Sequence, residues 1–145
     1  MFAPGKSPSI FTETYWDFAA PDEALLARWE RIRTIRDSIN KEIEAVRAAG
    51  QVGSSLQANL RIAAPPADHA LLASLGDDLR FVTITSQALL AEAAELAVGV
   101  TPSTAAKCER CWHYRDDVGH DPAHPAICTR CTSNLFGAGE TRHVA

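Results

Sequence analysis

Four cysteines carry the chemistry this chain offers: Cys108-x2-Cys111 and, after a sixteen-residue gap, Cys128-x2-Cys131. A two-residue spacing lets both sulfurs of a pair reach one ion at about 2.3 Å, and two such pairs fill a tetrahedral zinc site unaided. A site of that kind is closed to water and substrate, which predicts one structural Zn2+ and not a catalytic one. Arg110 and Arg130 each stand directly before the second cysteine of a pair, so the sequence presents one knuckle twice. Two disulfides are the competing chemistry, but no basic segment followed by an apolar core directs the chain to an oxidising compartment. A thioredoxin-type redox pair would want a single Cys-x2-Cys beside a βαβ pattern, whereas here two pairs share a late, loop-rich segment.

The residues around the cysteines admit two readings. Trp112 follows the second ligand, where a ring either lies over the thiolates or projects outward as a stacking platform for an unpaired nucleic-acid base. Arg110 beside it suits a base edge or a phosphate. Lys107, Arg110 and Arg130 also stand where they would offset the formal charge near −2 of a zinc ion held by four thiolates. His113, His120 and His124 are expected in loops around a site already filled by sulfur, and His69 at the surface. No Ser/His/Asp or Cys/His pattern, paired-carboxylate motif or nucleotide-binding glycine loop occurs. Gly5-Lys6-Ser7 lacks the upstream glycine and preceding strand of a phosphate loop. No catalytic residue is therefore predicted.

The elements that position these groups can be read from composition and periodicity. With 145 residues, 46% of them hydrophobic, and a net charge of −4, the chain suits one moderate domain or a helical piece joined to a small zinc module. The charge argues against a general polyanion binder. It is unevenly spread, however: residues 51 to 106 hold two arginines against five acids, and residues 107 to 145 five basic and five acidic groups. No stretch approaches the roughly 18 apolar residues of a membrane span, so a soluble, cytoplasmic, monomeric protein is expected.

An α+β fold follows: a long N-terminal helix, a small α/β unit and a C-terminal zinc-knuckle module, divided at residues 1–50, 51–106 and 107–145. Pro4, Gly5, Pro8 and Pro21 among Phe11, Tyr15, Trp16 and Phe18 predict irregular structure before a helix over 22–49. Asp22 and Glu23 favour that helix's start, Leu25, Trp29, Ile32, Ile39, Ile43 and Val46 form its stripe, and Gly50 stops it. Its six cations, Arg28, Arg31, Arg33, Arg36, Lys41 and Arg47, are balanced in large part by acids at helical spacing and read chiefly as a solvated face. Leu56, Ala58, Leu60 and Ile62 alternate as a half-buried strand ended by Pro65 and Pro66. A helix over about 67–75 and a second strand over 80–85 are expected next, residues 89–97 are ambiguous, and loop and knuckle follow from Lys107.

Lys107-Cys108-Glu109-Arg110-Cys111-Trp112, Asp117-Val118-Gly119, His124-Pro125 and Ile127-Cys128-Thr129-Arg130-Cys131 closely resemble the C-terminal zinc region of bacterial isoleucyl-tRNA synthetases. Asn134, Gly137, Gly139, Glu140, Arg142 and Ala145 look like that family's ending. Arg33, Arg36, Asp37, Asn40, Lys41, Glu44 and Arg47, followed by Gly53-Ser54-Ser55-Leu56 and Ala58, resemble the last helix of its anticodon-binding bundle. Residues 63–106 follow the family only loosely, and its nucleotide-binding and editing signatures are missing. The resemblance implies a C-terminal piece that does not charge tRNA alone. The implied parent is a class I ligase using ATP and Mg2+, and the implied partners are isoleucine tRNA and the remaining parent domains. It also implies tRNA contact, at the first anticodon base, by Arg110 and Trp112. The alternatives are a DNA-binding zinc module like that of formamidopyrimidine-DNA glycosylases, although Met1-Phe2-Ala3-Pro4 lacks their N-terminal proline nucleophile, and a purely structural zinc-stapled domain.

Overall fold

The computed structural model describes residues 9–12 and 18–141. Gly5-Lys6-Ser7, Tyr15, Trp16, Arg142 and Ala145 lie outside them. Helix α1 (Glu23–Ala48) begins where Asp22 accepts the Leu25 N–H on its carboxylate at 3.0 Å. It ends in a left-handed Gly50, φ +72°, with Gly50 N–H donating to Arg47 O and Gln51 N–H to Val46 O. That pair of bonds is the Schellman pattern that glycine permits at lowest cost. Ile32, Ile35, Ile39 and Ile43 form its buried face at 1–2% exposure. Ile35, absent from the expected stripe, takes the i+3 place after Ile32. Leu25 stays 46% exposed, because burial begins only a full turn or more further along the helix.

The core faces a three-stranded sheet of order β2-β1-β3. Strand β1 (Ala58–Ala64) is central, parallel to β2 (Gln87–Glu92) and antiparallel to β3 (Ala97–Pro102). Its alternation is the expected one: Ala58, Leu60, Ile62 and Ala64 are buried, and Leu60 and Ile62 pair with Ala88 and Leu90 on one side and Val100 and Val98 on the other. Pro65 ends the strand and Pro66 opens α2 (Pro66–Ala73), where a missing N–H costs nothing. Arg31 clamps α2 to α1 through two bonds to Asp68, at 2.8 and 2.6 Å, which holds that carboxyl below its ordinary pKa.

Residues 80–85 are not the expected strand. Helix α3 (Leu79–Thr83) occupies most of them. Leu79 and Thr83, four apart, are both buried, the Thr83 hydroxyl donates to Leu79 O at 2.9 Å, and Ile84 ends the turn in a left-handed conformation. Tertiary burial on a four-residue period thus overrides the β-propensity of Phe-Val-Thr-Ile-Thr. The ambiguous 89–97 stretch divides into the end of β2, a turn and the start of β3.

In the last third, β4 (Ala106–Lys107) and β5 (Tyr114–Arg115) pair antiparallel around the first knuckle. Helix α4 (Thr129–Phe136) leaves the second, where only loop was expected. Its one buried side chain is Cys131, while Leu135 and Phe136 are exposed. Its first turn starts on Cys128 and carries Cys131, so its positive end lies against sulfur charge. The Ser86 hydroxyl joins this module to the sheet, donating to Leu56 O at 2.5 Å and accepting the Tyr114 N–H at 2.6 Å.

Candidate metal centre

The structure brings all four cysteine sulfurs within 4.8 Å of one another. Cys108 Sγ lies 3.7 Å from Cys131 Sγ, and Cys111 Sγ 3.8 Å from Cys128 Sγ. A tetrahedron with metal–sulfur distances of about 2.3 Å has edges of about 3.8 Å, so the donor set fits zinc in number, type and spacing. A disulfide needs sulfurs about 2.05 Å apart, and all four thiols are free. Cys108, Cys128 and Cys131 are buried and Cys111 partly so, with Val118 and Ile127 packed around them.

The environment favours thiolate at one ligand and resists a second. Burial alone would push the Cys108 thiol up, but the backbone N–H groups of Cys111, Cys128 and Arg110 outweigh it and bring Cys108 down to about 6. Burial, with neighbouring sulfurs adding to it, pushes Cys111 up to about 12 and raises Cys128. Several thiolates in one buried site cannot ionise together without a cation, and a divalent ion reverses that balance, releasing protons as it binds. When bound, zinc supplies that charge neutralisation and fixes the two knuckles in register.

The flanking residues occupy distinct places. Arg110 Nη1 donates to Cys131 Sγ at 3.5 Å, so one guanidinium N–H offsets ligand charge as the sequence suggested. Arg130 instead pairs with Glu140 at 2.6 Å and lies 4.8 Å over the Phe81 ring. His113 is buried beside the site without joining it: its Nδ1 is 3.2 Å from Cys111 O and its ring meets Phe81 edge-on. Burial, countered by Cys111 O, lowers its pKa, so the neutral ring is favoured. His124 stacks on Phe136, His120 is exposed and His69 half-buried.

Trp112 projects outward. Its N–H donates to Cys108 O at 2.9 Å, its backbone is left-handed at φ +65°, and the residue is 60% exposed. Lys107 Nζ stands 5.6 Å from the indole centroid. The sequence reading took Lys107 only as a charge offset to zinc; its adjacency to Cys108, with Trp112 four beyond, was the available signal for this pairing. Nothing in the sequence marked Ser86 as the tie between sheet and module.

A closed four-cysteine centre between two knuckles, capped by a short helix, defines a zinc-finger module. Residues 106–134 match the family described as "Zinc finger found in FPG and IleRS". Similarity extends well beyond the finger. The chain is 53% identical over 152 aligned residues to isoleucine–tRNA ligase of Ralstonia pickettii (strain 12J), covering 100% of this chain and 16% of the relative. It is 56% identical over 149 residues to that of Cupriavidus metallidurans, covering 98% and 16%, and 55% identical over 137 residues to that of Bordetella pertussis, covering 92% and 14%. The whole chain thus matches one segment of isoleucine–tRNA ligases, and it spans about a sixth of the length of the curated relatives it matches.

Proposed function

We propose that this chain is the part of an isoleucine–tRNA ligase that holds the anticodon arm of isoleucine tRNA, with zinc as scaffold and no bond made or broken at the metal. The observation that carries this reading is Trp112: a large ring, 60% exposed, held in a left-handed conformation by the knuckle that binds zinc. A ring serving to shield thiolates would be covered. Loop bases of RNA are read by stacking on aromatic and guanidinium planes and by edge hydrogen bonds. Arg110, with one N–H on Cys131 Sγ, keeps its other donors for such an edge.

Residues 107–145 are the recognition module in this reading, 51–106 a small α/β support and 1–50 the end of the helical bundle of a cytoplasmic class I ligase. The remaining domains bind isoleucine, ATP and Mg2+, and binding energy at the anticodon helps orient the distant acceptor end. Among the described residues no helix is long and apolar enough to cross a membrane. The finger family is shared with FPG, but similarity through the whole chain to ligases favours tRNA over DNA.

Trp112→Gly in the full-length ligase tests the reading, because glycine accepts φ +65° without strain. Aminoacylation kcat/KM is expected to fall about 5- to 150-fold, the equivalent of a stacking contribution of about 1–3 kcal/mol. Isoleucine-dependent pyrophosphate exchange and zinc retention should be unchanged. Equal loss of both activities, or loss of zinc in step with activity, would sink it; preference for an abasic DNA duplex over tRNA in competition would favour the glycosylase-like alternative.

A further inference from the structure

We infer that Lys107 is a further RNA contact at this face: its ammonium binds the phosphate flanking the base that stacks on Trp112. The inference rests on the proposed anticodon contact and adds a residue to it.

Four cations among the described residues belong to the zinc module, and three are already engaged. Arg110 donates to Cys131 Sγ, Arg115 forks onto Asp117 at 2.8 and 3.0 Å, and Arg130 pairs with Glu140. Lys107 has no carboxylate within ion-pair distance among the described residues. Its backbone is nonetheless fixed: it is the last residue of β4, paired with Tyr114, and the next residue is a zinc ligand. Its side chain therefore departs from a fixed point of the backbone and places the ammonium beside an exposed ring.

The geometry divides the labour at that ring. An indole has two faces, and an ammonium 5.6 Å from the centroid is attracted to one of them. With Trp112 60% exposed, ring surface remains on which a base can stack beside the cation. Bringing RNA to the ring also brings the phosphate that follows the stacked nucleotide, and an unpaired ammonium is the group that meets it. Lysine is a compact point charge with no fork to match a base edge. Contacts of that type position a nucleic acid and carry no sequence information, and stacking on Trp112 is tolerant of base identity, whereas edge bonds from Arg110 read the base. Affinity and discrimination should therefore separate between neighbouring residues.

The test measures Kd of the zinc-loaded full-length ligase for isoleucine tRNA, and for the same tRNA with its first anticodon base exchanged, from about 50 to 200 mM salt. Lys107→Gln should flatten the slope of log K against log salt by about 0.7–0.9, one phosphate's share, and weaken both tRNAs by the same factor. Lys107→Arg should restore the slope. Trp112→Ala should leave the slope intact and weaken both tRNAs about 5- to 150-fold. An unchanged slope in Lys107→Gln, or a loss confined to one tRNA, overturns the assignment of Lys107. A Trp112→Ala enzyme that binds isoleucine tRNA as tightly as the wild type overturns the anticodon reading instead, and no binding of either tRNA by the wild type overturns both.

Discussion

Replacing Asp117 by asparagine should weaken zinc binding although Asp117 touches neither metal nor ligand. Its carboxylate receives Arg115 Nε and Nη2 at 2.8 and 3.0 Å, and the Thr129 hydroxyl on Oδ2. Arg115 ends the hairpin around the first knuckle, and Thr129 opens α4 directly after Cys128, so this one side chain ties the two halves of the metal site together. Its side chain is only 18% exposed. The Arg115 fork outweighs the opposing effect of burial and, with Thr129, holds the carboxyl down to about 2 from an ordinary 3.8.

Because the folded value is the depressed one, the stabilisation is fully present above pH 3.8 and is lost as pH falls through about 2. At about 1.4 kcal/mol per pH unit the displacement corresponds to about 2 kcal/mol. Asparagine keeps one oxygen acceptor and loses the charge, so about 1–2 kcal/mol should go, a 5- to 30-fold weakening. The loss appears as zinc affinity, because ordering the module and binding the ion are one equilibrium. Competition against a chromophoric chelator reads it directly. Thiol protonation changes both proteins alike, so the ratio of wild-type to variant affinity should stay flat from about pH 5 to 8, above the whole titration of Asp117. A ratio that drifts across that window, or no weakening at all, refutes the reasoning.

Chelation should remove hydrogen-exchange protection chiefly from residues 107–141, where bonds such as Glu109 N–H to Ala126 O and Gly119 N–H to Ile127 O depend on the knuckles, and leave Leu60 and Ile62 in β1 protected. Unchanged protection after verified metal removal would contradict a structural zinc. Ile39→Ala, at a position 1% exposed between α1 and the sheet, should cost about 2–5 kcal/mol in urea unfolding of the core while chelator competition detects little change in zinc affinity. A matching loss of zinc affinity would mean that core and module fold as one.

What the sequence disclosed follows what is local. Cysteine spacing sets the ligand set, since four donors and one ion leave few solutions. Asp22 and Gly50 mark α1 through bonds made within one turn. The strand Ala58–Ala64 is legible because one face is buried and a slip by one residue would invert it. The failures lie where distant contacts decide. Residues 79–83 become helix because Leu79 and Thr83 together meet a core built from elsewhere in the chain. The helix Thr129–Phe136 is short and anchored through Cys131, its one buried residue, so no buried apolar face marks it in the sequence. Lys107 and Trp112 were each visible, but their pairing needed the hairpin that sets one beside the other.

The same hairpin explains how zinc can hold the surface proposed for recognition without any chemistry at the metal. Holding a tryptophan at φ +65° costs of order 1–3 kcal/mol, and exposing its ring forgoes the burial that would repay it. A cluster whose aliphatic members are Val118 and Ile127, both only partly buried, is too small to impose such a conformation and order the module as well. A structural zinc ion brings on the order of 10–16 kcal/mol to small modules. It therefore leaves a margin that can be spent on an outward-facing ring and on a guanidinium bonded to ligand sulfur. Losing the ion would scatter Lys107, Arg110 and Trp112 before the helix-and-sheet core is disturbed, making zinc occupancy a direct control on the surface proposed to face RNA.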